Sequence, residues 1–135
     1  MEIKGSHHIG IAVEDIEEAL KVYHDALGLD VAEREELPDR GLRIAMLPLG
    51  EGAIELLEPV DPESTIGKFI AKRGPGIHHM ALEVSDIDRA LQRLKESNIP
   101  LIDEQARPGA GGTRVAFIHP KGTGGVLLEL VEGAH

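Results

Sequence analysis

The stretch 7-HHIGIAVEDIEEAL-20 decides how this chain is read, because it returns, from His7 to His78 and 71 positions on, as 78-HHMALEVSDIDRAL-91. Each copy begins with two histidines, runs through alternating apolar positions and ends in Asp-Ile with Ala-Leu behind it. Alternation at period two marks a strand with one covered face. Asp15 then suits a helix N-cap and with Glu18 resembles a capping box, while Ser85 or Asp86 caps the second helix. Ile16, Ala19, Leu20, Tyr23 and Leu27 fall at helical spacing, with Gly28 placed for a C-terminal cap. In the second copy the stripe is Ile87, Ala90, Leu91 and Leu94, and Asn98 suits a left-handed end.

Short β-like runs come after each helix. They are Gly28 to Glu33, Arg43 to Leu47 and Ala53 to Glu58 in the first half, and Pro100 to Asp103, Arg114 to Ile118 and Val126 to Glu132 in the second. Glu55 and Glu129 occupy matched places in the closing runs. The chain therefore reads as an α+β fold of two tandem βαβββ modules, about residues 5–60 and 77–132, lining a sheet-walled cleft. Residues 61–76 form a linker with a short helix carrying Ile66, Phe69 and Ile70. Neither half is large enough to be comfortable alone, so residues 1–135 are expected to form one domain.

Strand parity then sorts the side chains, since neighbours point to opposite faces. Ile9, Ile11 and Val13 belong under the first helix, as Met80, Leu82 and Val84 belong under the second. His8 and His79 then lie on the helix-free side. Ile54, Leu56, Leu128 and Leu130 face the helices, which turns Glu55 and Glu129 to the same side as those histidines. Two imidazoles and two carboxylates on one concavity suit a divalent first-row metal with positions open for substrate. By the same parity His7 and His78 point away and read as structural or partly exposed. His24, on the exposed helix face, and His135, near the end, are given no role.

Composition bounds the rest. The chain has 135 residues, a formal charge of −10 and no cysteine, which excludes disulfides, thiolate zinc sites and cysteine nucleophiles. An acidic chain with only Tyr23, Phe69 and Phe117 as aromatics is a poor partner for nucleic acid or an anionic membrane. The N-terminal MEIKGSHHIGIAV has neither a signal-length apolar run nor transit-peptide character, so a cytoplasmic protein is expected.

The paired modules resemble the vicinal oxygen chelate superfamily, also called the glyoxalase/bleomycin-resistance fold, over nearly the whole chain. Within it, HIGIAVED, the linker DPESTIGKFIAKRGPGIHHMALEV and the tail GAGGTRVAFIHPKGTGGVLLEL resemble the methylmalonyl-CoA epimerase family. The resemblance places His8, Glu55, His79 and Glu129 on the family's metal-ligand positions, in agreement with parity. It implies a metal-dependent epimerase that interconverts (R)- and (S)-methylmalonyl-CoA by removing the C2 proton and stabilising the enolate. Glu129 is the first candidate base and Glu55 the second. Some relatives carry a glutamate where this chain has Ile44 and a glutamine where it has Glu55. The resemblance also implies a homodimer and one divalent ion per chain, cobalt ahead of manganese, nickel or zinc.

A CoA thioester is anionic, so basic residues are expected near it. Candidates are Lys68, Lys72 and Arg73 in the linker, and Arg107, Arg114 and Lys121 around the glycine-rich tail, with His119 lining the cleft by resemblance. The tail also reads as a pair of turns joining strands. The alternatives are a glyoxalase I-type lactoylglutathione lyase, whose family ligand set is also two His and two Glu, and a metal-free small-molecule-binding or resistance protein. A dioxygenase fits less well, because a 2-His-1-carboxylate iron site uses one carboxylate.

Overall fold

The computed structural model describes residues 2–133; His135 lies outside the described residues. The chain divides into two compact units, residues 8–78 and residues 1–7 with 79–135. Among the described residues no helix is long and apolar enough to cross a membrane.

The unit of residues 8–78 takes the second half of β1 (Ile3–Ala12), then α1 (Ile16–Leu20), β2 (Glu33–Leu37), β3 (Leu42–Leu49), β4 (Gly52–Pro59) and α2 (Thr65–Arg73). β1 lies parallel to β4, with Gly10 opposite Glu55. β3 is antiparallel to β4, and β2 to β3. One face carries α1, whose Ile16 and Leu20 are buried with Ala45, Leu47 and Leu56. Ile11, Val13 and Ile54 pack against that cluster, as parity requires.

Two details of this unit depart from the sequence reading. α1 widens after Leu20 into a π-helical turn over Lys21–Ala26, where Leu27 N–H donates to Val22 O at 2.9 Å. One extra residue in a turn rotates all later side chains by about 100° around the axis. Leu27 therefore leaves the apolar stripe and is 64% exposed, while Leu29 packs into the core. The first run after the helix is displaced too: β2 begins at Glu33 and runs through Glu-Arg-Glu-Glu-Leu. Charged side chains are what an edge strand tolerates, and an apolar pattern cannot reveal it. Gly28 does take positive φ, at 80°.

The linker helix α2 is capped by Ser64, whose Oγ accepts from Gly67 N–H at 3.0 Å. A Cβ on Gly67 would stand 2.5 Å from Pro62 O, so this turn admits no larger residue without moving backbone.

The second unit repeats the plan with β5 (Gly76–Val84), α3 (Ile87–Glu96), the two-residue β6 (Arg107–Pro108), β7 (Arg114–Ile118) and β8 (Leu128–Glu132). β5 is parallel to β8, with Ala81 opposite Glu129, and β7 is antiparallel to β8. Its core joins Val84, Ile87, Ala90, Leu91, Ala116, Ile118 and Leu130, with Leu82, Leu94 and Leu128 against it. Met80, expected under the helix, is 36% exposed, because α3 covers only the later part of β5. The expected run at Pro100 to Asp103 is reduced to a single bridge, Leu101 with Ile118. Asn98 ends α3 with φ 59°. The start of β1 belongs here: Ser85 N–H donates to Glu2 O at 3.0 Å.

Candidate functional site

Each unit carries one buried histidine beside one buried glutamate. In residues 8–78, His8 Nε2 lies 3.5 Å from Glu55 Oε1. In the other unit, His79 Nε2 lies 3.2 Å from Glu129 Oε1. All four residues are at most 7% exposed. The strands explain the pairing. β1 and β4 set Gly10 opposite Glu55, and β5 and β8 set Ala81 opposite Glu129. The histidine stands two residues before that small residue and so shares its face.

The His79–Glu129 separation is one that two ligands of a shared cation take, and that of His8 and Glu55 is slightly longer. A charge-assisted hydrogen bond is about 2.7–2.9 Å. Two donors each about 2.1 Å from one ion stand roughly 3.0–3.4 Å apart, depending on geometry. Neutral imidazole with carboxylate is also a donor chemistry that divalent first-row ions accept. A buried carboxylate needs such compensation, since its desolvation is costly.

The other histidines of the two motifs differ. His78 is half-buried, edge-on to Phe69 with ring centroids 4.9 Å apart. His7 is buried, in keeping with the structural one of its two readings.

On the helix-bearing faces the structure shows a device not read from the sequence. The first free N–H of α1, at Ile16, donates to Glu58 Oε1 at 2.8 Å, and that of α3, at Ile87, donates to Glu132 Oε1 at 2.8 Å. Arg43 Nη1 lies 3.1 Å from Glu58 Oε2, and Arg114 Nη1 lies 3.6 Å from Glu132 Oε2. Both triads sit at matched repeat positions, so a search for charged residues that repeat with the histidines would have found them. Asp15 and Asp86 do cap their helices, accepting from Glu17 and Glu18 N–H and from Arg89 N–H. Glu18, expected to close a capping box, is turned to Lys21 Nζ at 3.1 Å.

The basic candidates divide between the units. Arg114 donates to both oxygens of Asp88 at 3.0 and 2.9 Å, besides meeting Glu132. That bonding to Asp88 raises the Arg114 pKa and lowers that of Asp88. Arg107 Nε pairs with Asp103 Oδ1 at 3.3 Å, and its guanidinium lies 5.6 Å over the Phe117 ring. Lys121 is exposed on the turn Pro120–Gly122, where His119 Nδ1 accepts its backbone N–H at 3.1 Å. His119 thus serves as a turn cap. Lys68, Lys72 and Arg73 are exposed on α2. The glycine-rich stretch forms a tight turn at Ala110–Gly112, with Gly109 N–H donating to Thr113 O at 2.8 Å. It joins β6 to β7, as the turn reading expects.

Residues 7–117 match the sequence profile of the Glyoxalase/Bleomycin resistance protein/Dioxygenase superfamily. The chain belongs to this superfamily. Among its glyoxalase-type relatives, the mitochondrial methylmalonyl-CoA epimerase of Bos taurus is 40% identical over 125 residues, 92% of this chain and 71% of that protein. The crystal structure of methylmalonyl-CoA epimerase from Mycobacterium tuberculosis superposes with a TM-score of 0.91 at 44% identity, over 98% of this chain and 90% of that one. A methylmalonyl-CoA epimerase in complex with methylmalonyl-CoA and ammonium superposes with a TM-score of 0.92 at 34% identity, over 98% and 96%. The α+β glyoxalase-type fold is therefore shared along the chain.

Proposed function

We propose that this chain interconverts (R)- and (S)-methylmalonyl-CoA, with one divalent cation held by His8, Glu55, His79 and Glu129. The observation that carries the reading is the doubled buried His–Glu pair at matched repeat positions, in a chain 40% identical to an epimerase over 92% of its length. A metal-free binder would have no use for two such pairs.

The C2 proton of the substrate lies between a thioester and a carboxylate. When bound, the cation supplies Lewis-acid stabilisation of the negative charge that proton removal leaves on oxygen. Imidazole and carboxylate are donors that cobalt, manganese, nickel and zinc all accept, and the resemblance to the epimerases puts cobalt first among them. Glu129 takes the proton from one face of C2, and Glu55 serves the other. Both carboxylates stand on central strands, β8 between β5 and β7 and β4 between β1 and β3. Their positions are thus set by backbone ladders on both sides rather than by loops. Ile44 is buried and cannot take a proton, which supports giving the second role to Glu55. Lys121, Lys68, Lys72 and Arg73 are the cations we assign to the CoA anion. Arg114 and Arg107 are left out, since Arg114 is engaged with Asp88 and Glu132, and Arg107 with Asp103 and the Phe117 ring. A single working domain, a homodimer and a cytoplasmic location belong to the same proposal.

The test is incubation with methylmalonyl-CoA in deuterium oxide, followed by mass and chirality analysis. Wild-type protein should epimerise with label at C2. Glu129→Gln and Glu55→Gln should each lose at least ~10²-fold in epimerisation, as for loss of a general base. Each variant should still exchange label into one enantiomer, and a different one in each. Metal content is measured alongside. Near-full activity in a metal-replete Glu55→Gln would place the second base elsewhere.

A further inference from the structure

The helix-free face of the second unit holds an aromatic ring fastened by its own surroundings. Phe117 stands opposite Glu129 in the β7–β8 ladder, and its ring meets His79 at 5.6 Å and 85°. Its backbone N–H donates to Asp103 Oδ2 at 2.8 Å. The other Asp103 oxygen holds Arg107, whose guanidinium returns over the Phe117 ring. Carboxylate, guanidinium and ring thus form a closed bracket. At the matched place in the first unit, Met46 stands opposite Glu55 and offers a flexible thioether instead.

We propose that Phe117 is a specificity-determining residue, the wall against which the alkyl group on C2 packs, and that Asp103 and Arg107 are positioning residues that hold it. This rests on Glu129 acting as a base. A carbon that yields its proton to Glu129 has to come within about 3 Å of it. Directly opposed side chains on an antiparallel pair stand about 5 Å apart at Cβ. A substituent on that carbon therefore meets the Phe117 ring. Ala81, Val115 and Val131 are buried with one another, whereas Phe117 is only half-buried and has ring surface to offer. Deprotonation of either enantiomer leaves the same planar carbon, so one wall serves both directions. A ring stacked under Arg107 cannot swing aside for a larger group without losing that contact. One methylene in such a pocket is worth about tenfold or more in discrimination.

The experiment compares kcat/KM for methylmalonyl-CoA and for its one-carbon-larger ethyl homologue, with metal content and circular dichroism checked for every variant. Wild-type protein should prefer the methyl substrate by about tenfold or more. Phe117→Leu and Phe117→Ala should each shrink that preference at least ~10-fold, and Phe117→Leu stands in should the alanine variant not fold. Arg107→Ala should move the preference the same way but less, with KM for methylmalonyl-CoA little changed. Calorimetric affinities for propionyl-CoA and butyryl-CoA should converge in the Phe117 variants, a readout independent of turnover. An unchanged preference in both Phe117 variants at wild-type metal content, or equal rates on both substrates in wild-type protein, would overturn the proposal. A salt-sensitive rise in KM for both substrates in Arg107→Ala would make Arg107 an anion contact and overturn the bracket. Full activity in Glu129→Gln would instead remove the base on which the wall depends, a result the Phe117 variants do not influence.

Discussion

The two units build their helix-bearing faces alike and their helix-free faces differently. On the first kind of face both use Arg–Glu–helix triads, Arg43 with Glu58 and Ile16 N–H, and Arg114 with Glu132 and Ile87 N–H. On the second kind both hold a His–Glu pair, but its cross-strand neighbour is Met46 in one and the bracketed Phe117 in the other. A helix N-terminus leaves unsatisfied N–H groups whatever the protein does, so each copy needs the same remedy. No such general need governs the surroundings of the carboxylates. There the copies are free to differ, and the difference falls where the chemistry is expected.

The largest test of the shared pairs removes one imidazole. His8→Ala and His79→Ala should each lose the bound divalent ion, measured by metal analysis, and epimerase activity with it. His7→Ala and His78→Ala should keep both. If His78→Ala strips the ion while His79→Ala does not, the parity that equates the two units is wrong.

A smaller effect tests the triads. Glu58→Gln and Glu132→Gln each weaken a charge-assisted bond to a helix N-terminus, and each should cost about 1 kcal/mol. That is a fall of a few degrees in Tm for a chain of this size. Metal content should stay at the wild-type level. If one variant is silent, the triads are not equivalent and the resemblance between the helix-bearing faces is superficial.

The smallest effect concerns a place where the triads already differ. Arg43 extends to Glu36 on β2, whereas Arg114 extends to Asp88 on α3. The hydrogen bond from Arg114 holds the Asp88 carboxyl below its ordinary value. A lowered folded-state pKa adds stability above the ordinary carboxylate range, which is lost as pH falls through the folded value. The Tm difference between wild-type protein and Asp88→Asn should therefore be small at neutral pH and vanish in acid. A difference that grows on acidification would show that this bond is not the cause.

The repeat of HHIGIAVEDI as HHMALEVSDI, with the matched closing runs, was enough to determine two βαβββ modules, the cap at Asp15 and the face on which His8, Glu55, His79 and Glu129 stand. Those properties arise from period-two alternation and helical spacing, which are local and survive without knowledge of neighbours. The features beyond reach were set by contacts between residues distant in sequence. The charged β2 is a strand only because β3 offers it a ladder. Leu27 is exposed because the helix widens before it. Arg114 reads as a cation available to an anion until Asp88 and Glu132, 26 and 18 positions away, are found beside it. Phe117 is one apolar residue in a strand until Asp103, Arg107 and His79 close around its ring. Local pattern determines which way a side chain points, and only tertiary structure decides what it meets there.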